Sequence, residues 1–136
     1  MHTAIEYLNP DDLHENPAYS QVVVISGAVR NVHIGGQNAV DASGALVGVG
    51  EIGTQARQIF KNLEIALQAA GAKVEHIVKW NVYVVQGADP GPAFETFRSW
   101  WGDRPHPPLI TFLFVAGLAH PDFLMEIDAL AAVPAG

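Results

Sequence analysis

The sequence predicts an α+β domain, one mixed β-sheet with two helices on one face. Three patterns carry this expectation. Apolar residues recur at spacings of three and four over Ile52–Ala70, as on a helix with one buried stripe, and a shorter helix is expected over Ala93–Trp101 after the Gly/Pro loop at Gly87–Pro92. Residues 77–85 alternate with period two, as in a strand with unequal faces. Four further short runs rich in β-branched and aromatic residues flank these segments, giving the order ββ, α, β, α, ββ.

Taken in order, the first 18 or so residues carry Asn9-Pro10-Asp11-Asp12 and Asn16-Pro17 and read as an irregular arm. Val22–Ile25 and Val32–Ile34 read as strands, most simply joined as a hairpin across Gly27-Ala28-Val29. Asp41-Ala42-Ser43-Gly44 is turn chemistry. On the first helix Ile52, Ala56, Ile59, Phe60, Leu63, Ala66, Leu67 and Ala70 form the apolar stripe, with Gly71 as its stop. Gln55, Arg57, Gln58, Lys61, Asn62 and Glu64 are predicted to lie on its solvated side. Gly102 and Pro105 end the second helix, and Leu109–Val115 and Leu124–Ala131 supply the last strands. Two helices cover one sheet face, so the other, expected to carry Trp80, Phe112 and Phe114, is predicted to meet another subunit.

Composition narrows the function classes. The 136 residues are 49% hydrophobic and 15% charged, against about 25% charged in an average soluble domain. This length suits one domain, residues 1–136, and the shortage of charge again points to a buried interface. Seven scattered basic residues against fourteen acidic ones give a net charge of −7, which disfavours nucleic-acid binding. No apolar run approaches the ~20 residues of a membrane-spanning helix, and the start of the chain lacks a basic, apolar leader, so a cytoplasmic location is expected. Without cysteine there is no disulfide and no thiolate chemistry. His2, His14, His33, His76, His106 and His120 show no metal-site spacing, so neither metal nor cofactor is expected. Ser20, Ser26, Ser43 and Ser99 lack the setting of an activated nucleophile.

Gly35-Gly36 after the second strand offers either backbone amides for a ligand or a simple bulge. Glu126 shares one face of the last strand with Asp128, while Met125, Ile127 and Ala129 share the other. A carboxylate inside a strand has solvent, a partner or a function.

Several local patterns, weak singly, are specific in their order. These are Asn9-Pro10, Ala18-Tyr19-Ser20-Gln21, Gly36-Gln37, Gln55-Ala56-Arg57-Gln58 with Asn62, Ala69-Ala70-Gly71-Ala72 and Ile77-Val78-Lys79. Pro108, Val115-Ala116-Gly117-Leu118 and Glu126-Ile127 before Ala129 complete the set. Over nearly its whole length the chain resembles the Rid, or YjgF, family of reactive-intermediate deaminases. The resemblance implies a chorismate-mutase-like fold and a homotrimer with a central sheet barrel. It also implies small-molecule sites in the clefts between subunits.

The family's site tyrosine and glutamate match Tyr19 and Glu126, and its Ser-Gly pair matches Gly35 and Gly36. Its Pro-Ala-Arg-Ser motif falls on Pro108-Leu109-Ile110-Thr111, so Ile110 stands where an arginine would hold a substrate carboxylate. Loss of that charged hydrogen bond removes roughly 1.5–3 kcal/mol and, with desolvation, weakens 2-imino acids by about a hundredfold or more. The resemblance thus implies hydrolysis of a small enamine or imine without an α-carboxylate. Glu126, its pKa raised by burial against Ile110 and Phe112, would handle water, and Tyr19 would orient the ligand. Gly35, Gly36, Phe94, Ile110, Thr111 and Phe112 would bind it. The alternatives are a non-catalytic binding or regulatory trimer, and a 2-iminoacid deaminase in which Arg104, with His106 nearby, substitutes for the lost arginine.

Overall fold

A computed structural model describes residues 3–135; Met1, His2 and Gly136 lie outside the described residues. The elements are β1 (Ala4–Leu8), β2 (Val22–Ser26), β3 (Val29–Gln37), α1 (Ile52–Ala69), β4 (Ile77–Val85), α2 (Gly91–Trp101), β5 (Leu109–Val115) and β6 (Met125–Pro134). A short 3-10 turn, Val74–His76, leads into β4. The main sheet has the order β3-β6-β4-β5, with β4 and β5 parallel through α2 and the other pairs antiparallel. The α+β class, with two helices packed on a mixed sheet, follows the sequence expectation. No helix among the described residues is long and apolar enough to cross a membrane.

The N-terminal third departs from that expectation. Part of the presumed irregular arm is a strand, β1, and it pairs with β2 in a separate antiparallel ladder. The expected hairpin between the strands on either side of Gly27 does not form. Gly27 takes φ +91°, and the Ala28 carbonyl accepts from Thr3 Oγ1 and from the Ala135 amide at 3.2 Å, which turns the chain out of a hairpin. β3 instead buries Ile34 beneath the helices by pairing with β6 nearly a hundred residues away.

The core lies between the helices and one sheet face. α1 buries Ile52, Ala56, Ile59, Phe60, Leu63 and Leu67, the stripe read from the sequence. It ends where Gly71 takes φ +70°, and the Arg30 guanidinium donates to the Ala70 carbonyl, a cation placed at the negative end of the helix dipole. α2 begins two residues earlier than expected because Pro92 is tolerated in a first turn and Asp89 accepts the Gly91 amide at 3.0 Å. β4 alternates as expected, but Trp80, Val82 and Val84 face the helices. Trp80 is therefore core, 3% exposed, and not on the open face where the sequence reading set it. Its ring is surrounded by Phe60, Phe97, Trp100 and Trp101 at centroid distances of 5.3–6.3 Å.

Gln55 was expected in solvent and is completely buried. Its amide nitrogen donates to the carbonyls of Gly48 at 3.0 Å and Asp122 at 2.9 Å, and its oxygen accepts the Leu124 amide at 2.9 Å. One side chain thereby ties the loop before α1 to the start of β6. Asn62 acts similarly, donating to Asn38 and Val40 carbonyls at 3.1 and 3.0 Å. Period counting places polar residues by angle alone and misses an amide whose partners are loop backbones. Gln55→Leu keeps the volume but leaves these groups unpaired, so it is expected to lower stability by about 2–4 kcal/mol in urea unfolding. Arg57→Ala on the same helix, exposed, should stay within about 0.5 kcal/mol.

Candidate functional site

The sheet separates the candidate residues by the side on which they project. Register partners point to the same side, and Trp80, Val82 and Val84 of β4 stand beside Ile110, Phe112 and Phe114 of β5. Phe112 and Phe114 therefore lie on the helix side, at the edge beyond the reach of α2, and not on the opposite face as expected. There a cavity of about 490 Å³ opens between α2 and the sheet. Tyr19, Phe94, Ile110 and Phe112, four of the sequence-predicted residues, line it together with Trp80 and Phe97. Its floor is the buried set Trp80, Val82, Val84, Met125 and Ile127, and its rim is the exposed pair Phe94 and Phe112. Among the described residues no Lys, Arg, His, Asp or Glu lines it.

Tyr19 reaches this cavity because the next residue is anchored. Ser20 is buried, its hydroxyl donates to the Pro107 carbonyl at 2.6 Å, and its amide donates to the Pro108 carbonyl at 3.3 Å. The segment between β1 and β2 is thus fixed at the entrance to β5. Trp80 was expected at a subunit interface and Phe97 was not named, so neither was foreseen as lining a cavity. Trp80 nonetheless carries a distinguishing feature: its buried Nε1–H has no hydrogen-bond partner among the described residues. Such a group bears a desolvation penalty of about 1–3 kcal/mol.

Glu126 is on the other face. β6 alternates so that Met125, Ile127 and Ala129 enter the core while Glu126 and Asp128 project from the open side. The expected burial of Glu126 against Ile110 and Phe112 does not occur, since the sheet itself lies between them. Glu126 instead packs on Gly36, where an added Cβ would stand 2.2 Å from Oε2. Gly35 and Gly36 interrupt the β3–β6 register as a bulge, and Asn38 donates to Glu126 Oε1 at 3.2 Å. Asn38 went unnoticed in the sequence because an isolated asparagine after a strand carries no periodic signal. On the same face Asn81 and Tyr83 donate to Asp128 at 2.8 and 3.2 Å. Partial desolvation, then the negative charges of Asp128 and Glu126, holds the Tyr83 phenol above its ordinary pKa. Thr111, register partner of Asn81, also points to this side and is exposed.

Arg104 turns away from the cavity. Its Nη1 donates to the Trp100 and Trp101 carbonyls at 2.6 and 3.0 Å, capping α2, and the guanidinium sits 5.9 Å from the Trp100 ring centre. His106 takes φ +55°, uncommon for a residue with a Cβ, and stacks on Tyr7 at 4.6 Å. Burial raises the Tyr7 phenol pKa. A wider groove of about 1000 Å³ runs between the start of α1 and α2, but it is open and holds none of the candidate residues. Among the described residues no group of three or more His, Asp or Glu is arranged to hold a metal ion.

Comparison with known proteins agrees with this architecture. A crystal structure of a conserved Rid-family protein from Yersinia pestis, YyfB, of unknown function, superposes with a TM-score of 0.83 at 30% identity, covering 95% of this chain and 98% of that one. The YjgF gene product of E. coli gives 0.66 at 29% identity, covering 74% of this chain and 79% of that one. A rat 2-iminobutanoate/2-iminopropanoate deaminase is 31% identical over 84 residues, 62% of this chain and 59% of its own length. The chain therefore spans less than two thirds of that relative. The family model described as Endoribonuclease L-PSP matches residues 11–133, and the chain belongs to that family, the YjgF/Rid family.

Proposed function

We propose that this protein hydrolyses a small enamine or imine that carries no α-carboxylate, in a site closed between two copies of the chain. The observation that carries this reading is the cavity beside Ile110, lined mainly by apolar and aromatic side chains and by no cation among the described residues. The rat relative is named for 2-iminobutanoate and 2-iminopropanoate, both carboxylates. An isoleucine-lined cavity offers such a group no counter-charge, and Arg104 is already engaged at the end of α2.

In the proposed reaction the protonated imine carbon is attacked by water, forming a C–O bond while the π electrons return to nitrogen. Glu126 takes one water proton and delivers it to the amine; as the C–N bond breaks, the hydroxyl oxygen forms the new carbonyl and gives its remaining proton to Glu126, which passes it to the departing ammonia, leaving ammonium. Tyr19 orients the ligand, and Phe94, Ile110 and Phe112 hold its apolar body. Thr111 and the Gly35 and Gly36 amides contribute from the open side, where Asn38 steadies Glu126.

Within one chain these two groups lie on opposite faces of one sheet, so closure requires a second copy. The edge of β5 supports this. Among the described residues it has no strand partner on its outer side, and Phe112, Leu113 and Phe114 are 41%, 48% and 54% exposed. A long apolar edge strand aggregates unless covered, and a closed trimer covers it. The family's descriptive name mentions ribonuclease activity, but a net charge of −7 does not suit binding to RNA. The separation of Glu126 from the cavity also favours a second reading, a trimer that binds its ligand without turnover. That reading requires saturable binding with no ammonia released.

Imines generated in situ from neutral amines by an amine oxidase should give ammonia faster with the protein than without it. Glu126→Gln is expected to lower kcat about 100-fold or more with little change in KM, and unchanged turnover would remove Glu126 from the mechanism. Ile110→Arg should create activity on 2-aminoacrylate at least about tenfold above that of the parent chain, from a regained charged hydrogen bond. Gly36→Ala is expected to displace the Glu126 carboxylate and reduce turnover by up to about 100-fold. Its urea midpoint should hardly move, because the displaced atoms are the end of a flexible side chain.

A further inference from the structure

We infer that Asn38 is a positioning residue for Glu126 and that Asn62, on helix α1, acts on the same carboxylate through it. This deepens the functional reading above and rests on its assignment of Glu126. The Asn38 side-chain amide donates twice to β6, to Glu126 Oε1 at 3.2 Å and to the Met125 carbonyl at 3.3 Å. A donor that also grips the adjacent backbone fixes Oε1 relative to its own strand. Oε2 stands over Gly36, where an added Cβ would lie 2.2 Å away, and it takes no hydrogen bond among the described residues. Oε2 is therefore the oxygen left to accept the water proton.

Asn38 is itself held from the helix side of the sheet. Its carbonyl accepts from Asn62 Nδ2 at 3.1 Å, and the same amide donates to the Val40 carbonyl at 3.0 Å. Asn62 Oδ1 accepts from Gln58 Nε2, one helical turn earlier, at 2.9 Å, which leaves the Asn62 donors for the loop. That loop is closed on itself by the Val40–Leu46 bridge and by Asp41, which accepts from the Ser43 and Ala45 amides at 2.9 and 3.0 Å. Residues 38–40 thereby join α1, on one side of the sheet, to Glu126, on the other. The remaining ionisable groups on the sheet face of Glu126 are Asp128 on β6, Tyr83 and Lys79 on β4 and His33 on β3, and none of them hydrogen-bonds to it among the described residues. Asn38 is thus the one side chain that orients this carboxylate among the described residues.

The imine that an amine oxidase makes in situ from butylamine serves as the probe. Asn38→Ala frees Oε1 to rotate and is expected to lower kcat about tenfold or more with KM within about twofold. Asn62→Ala should lower kcat by about threefold or more. The double variant should be no slower than Asn38→Ala alone, as for two residues in one relay. Where Asn62→Ala does not fold, Gln58→Ala, which removes only the bond that orients Asn62, takes its place with an expected loss of about twofold. Asn38→Asp sets a second carboxylate against Oε1 and disfavours ionisation of Glu126, so its base form persists only at higher pH. The acid limb of kcat, and the Glu126 carboxyl midpoint followed by ¹³C shift without substrate, should both rise by about one pH unit. In the parent chain the Asn38 side-chain N–H resonances should follow that midpoint and cease to move in Glu126→Gln.

Additive losses in the double variant, an Asn38→Asp midpoint equal to that of the parent, or Asn38 resonances indifferent to Glu126 would each overturn the positioning role. An unchanged kcat in the Asn62 or Gln58 variant would overturn the part given to α1. Titration shifts as stated without any ammonia release remove the catalytic reading alone. Ammonia release that Glu126→Gln abolishes, but that is indifferent to Asn38 and Asn62, removes the positioning alone.

Discussion

Strand β6 runs through the middle of the sheet between β3 and β4, and its two-residue period constrains what every other element can do. Met125, Ile127, Ala129 and Ala131 are 6% exposed or less and form the floor on which both helices rest. A one-residue slip in register would send these four side chains into solvent and bring Glu126 and Asp128 beneath the helices. Burying two carboxylates without cations is far more costly than any gain elsewhere in the fold could offset. The register is therefore strongly specified. Gln55 reinforces it by accepting the Leu124 amide at the point where β6 begins.

The same alternation that makes the core also divides the chemistry. Polar groups on the open face are interlinked: Asn38 with Glu126, and Asn81 and Tyr83 with Asp128. Apolar and aromatic groups on the helix face enclose the cavity. A sheet is one residue thick, so its two faces are close in sequence yet cannot share a ligand within one chain. The mechanism proposed for Glu126 and Ile110 consequently depends on assembly, whereas ligand capture by the cavity alone does not.

How much of this was legible in the sequence follows from the range of each signal. Helix α1 and strands β4 and β5 were readable almost to the residue, because periodicity is local and Gly71 and Gly102 mark the helix ends with φ of +70° and +62°. Pairing was not local. β1 and β2 find each other across residues 9–21, and β3 finds β6, through contacts that no short window encodes. Of the expected site residues, Tyr19, Phe94, Ile110 and Phe112 line one cavity, whereas Glu126, Gly35, Gly36 and Thr111 lie on the other side of the sheet. Strand alternation already held that division for β6. Extending it to β5 required the parallel register, Trp80 with Ile110, which sequence does not contain.

That register also explains where the scarce positive charge has gone. Two of the chain's seven basic residues, Arg30 and Arg104, cap the C-terminal ends of α1 and α2 by donating to their last carbonyls. No basic residue among the described ones lines the cavity. A cation at position 110 would stand in register with an indole, between Phe112 and the aromatic cluster of α2, and would need a bound anion to be tolerated there. Isoleucine removes that requirement, so the cavity can remain formed in the absence of ligand. The absence of charge at position 110 is thus consistent with the packing around it: a mainly apolar, partly aromatic space with no cation among the described residues that line it.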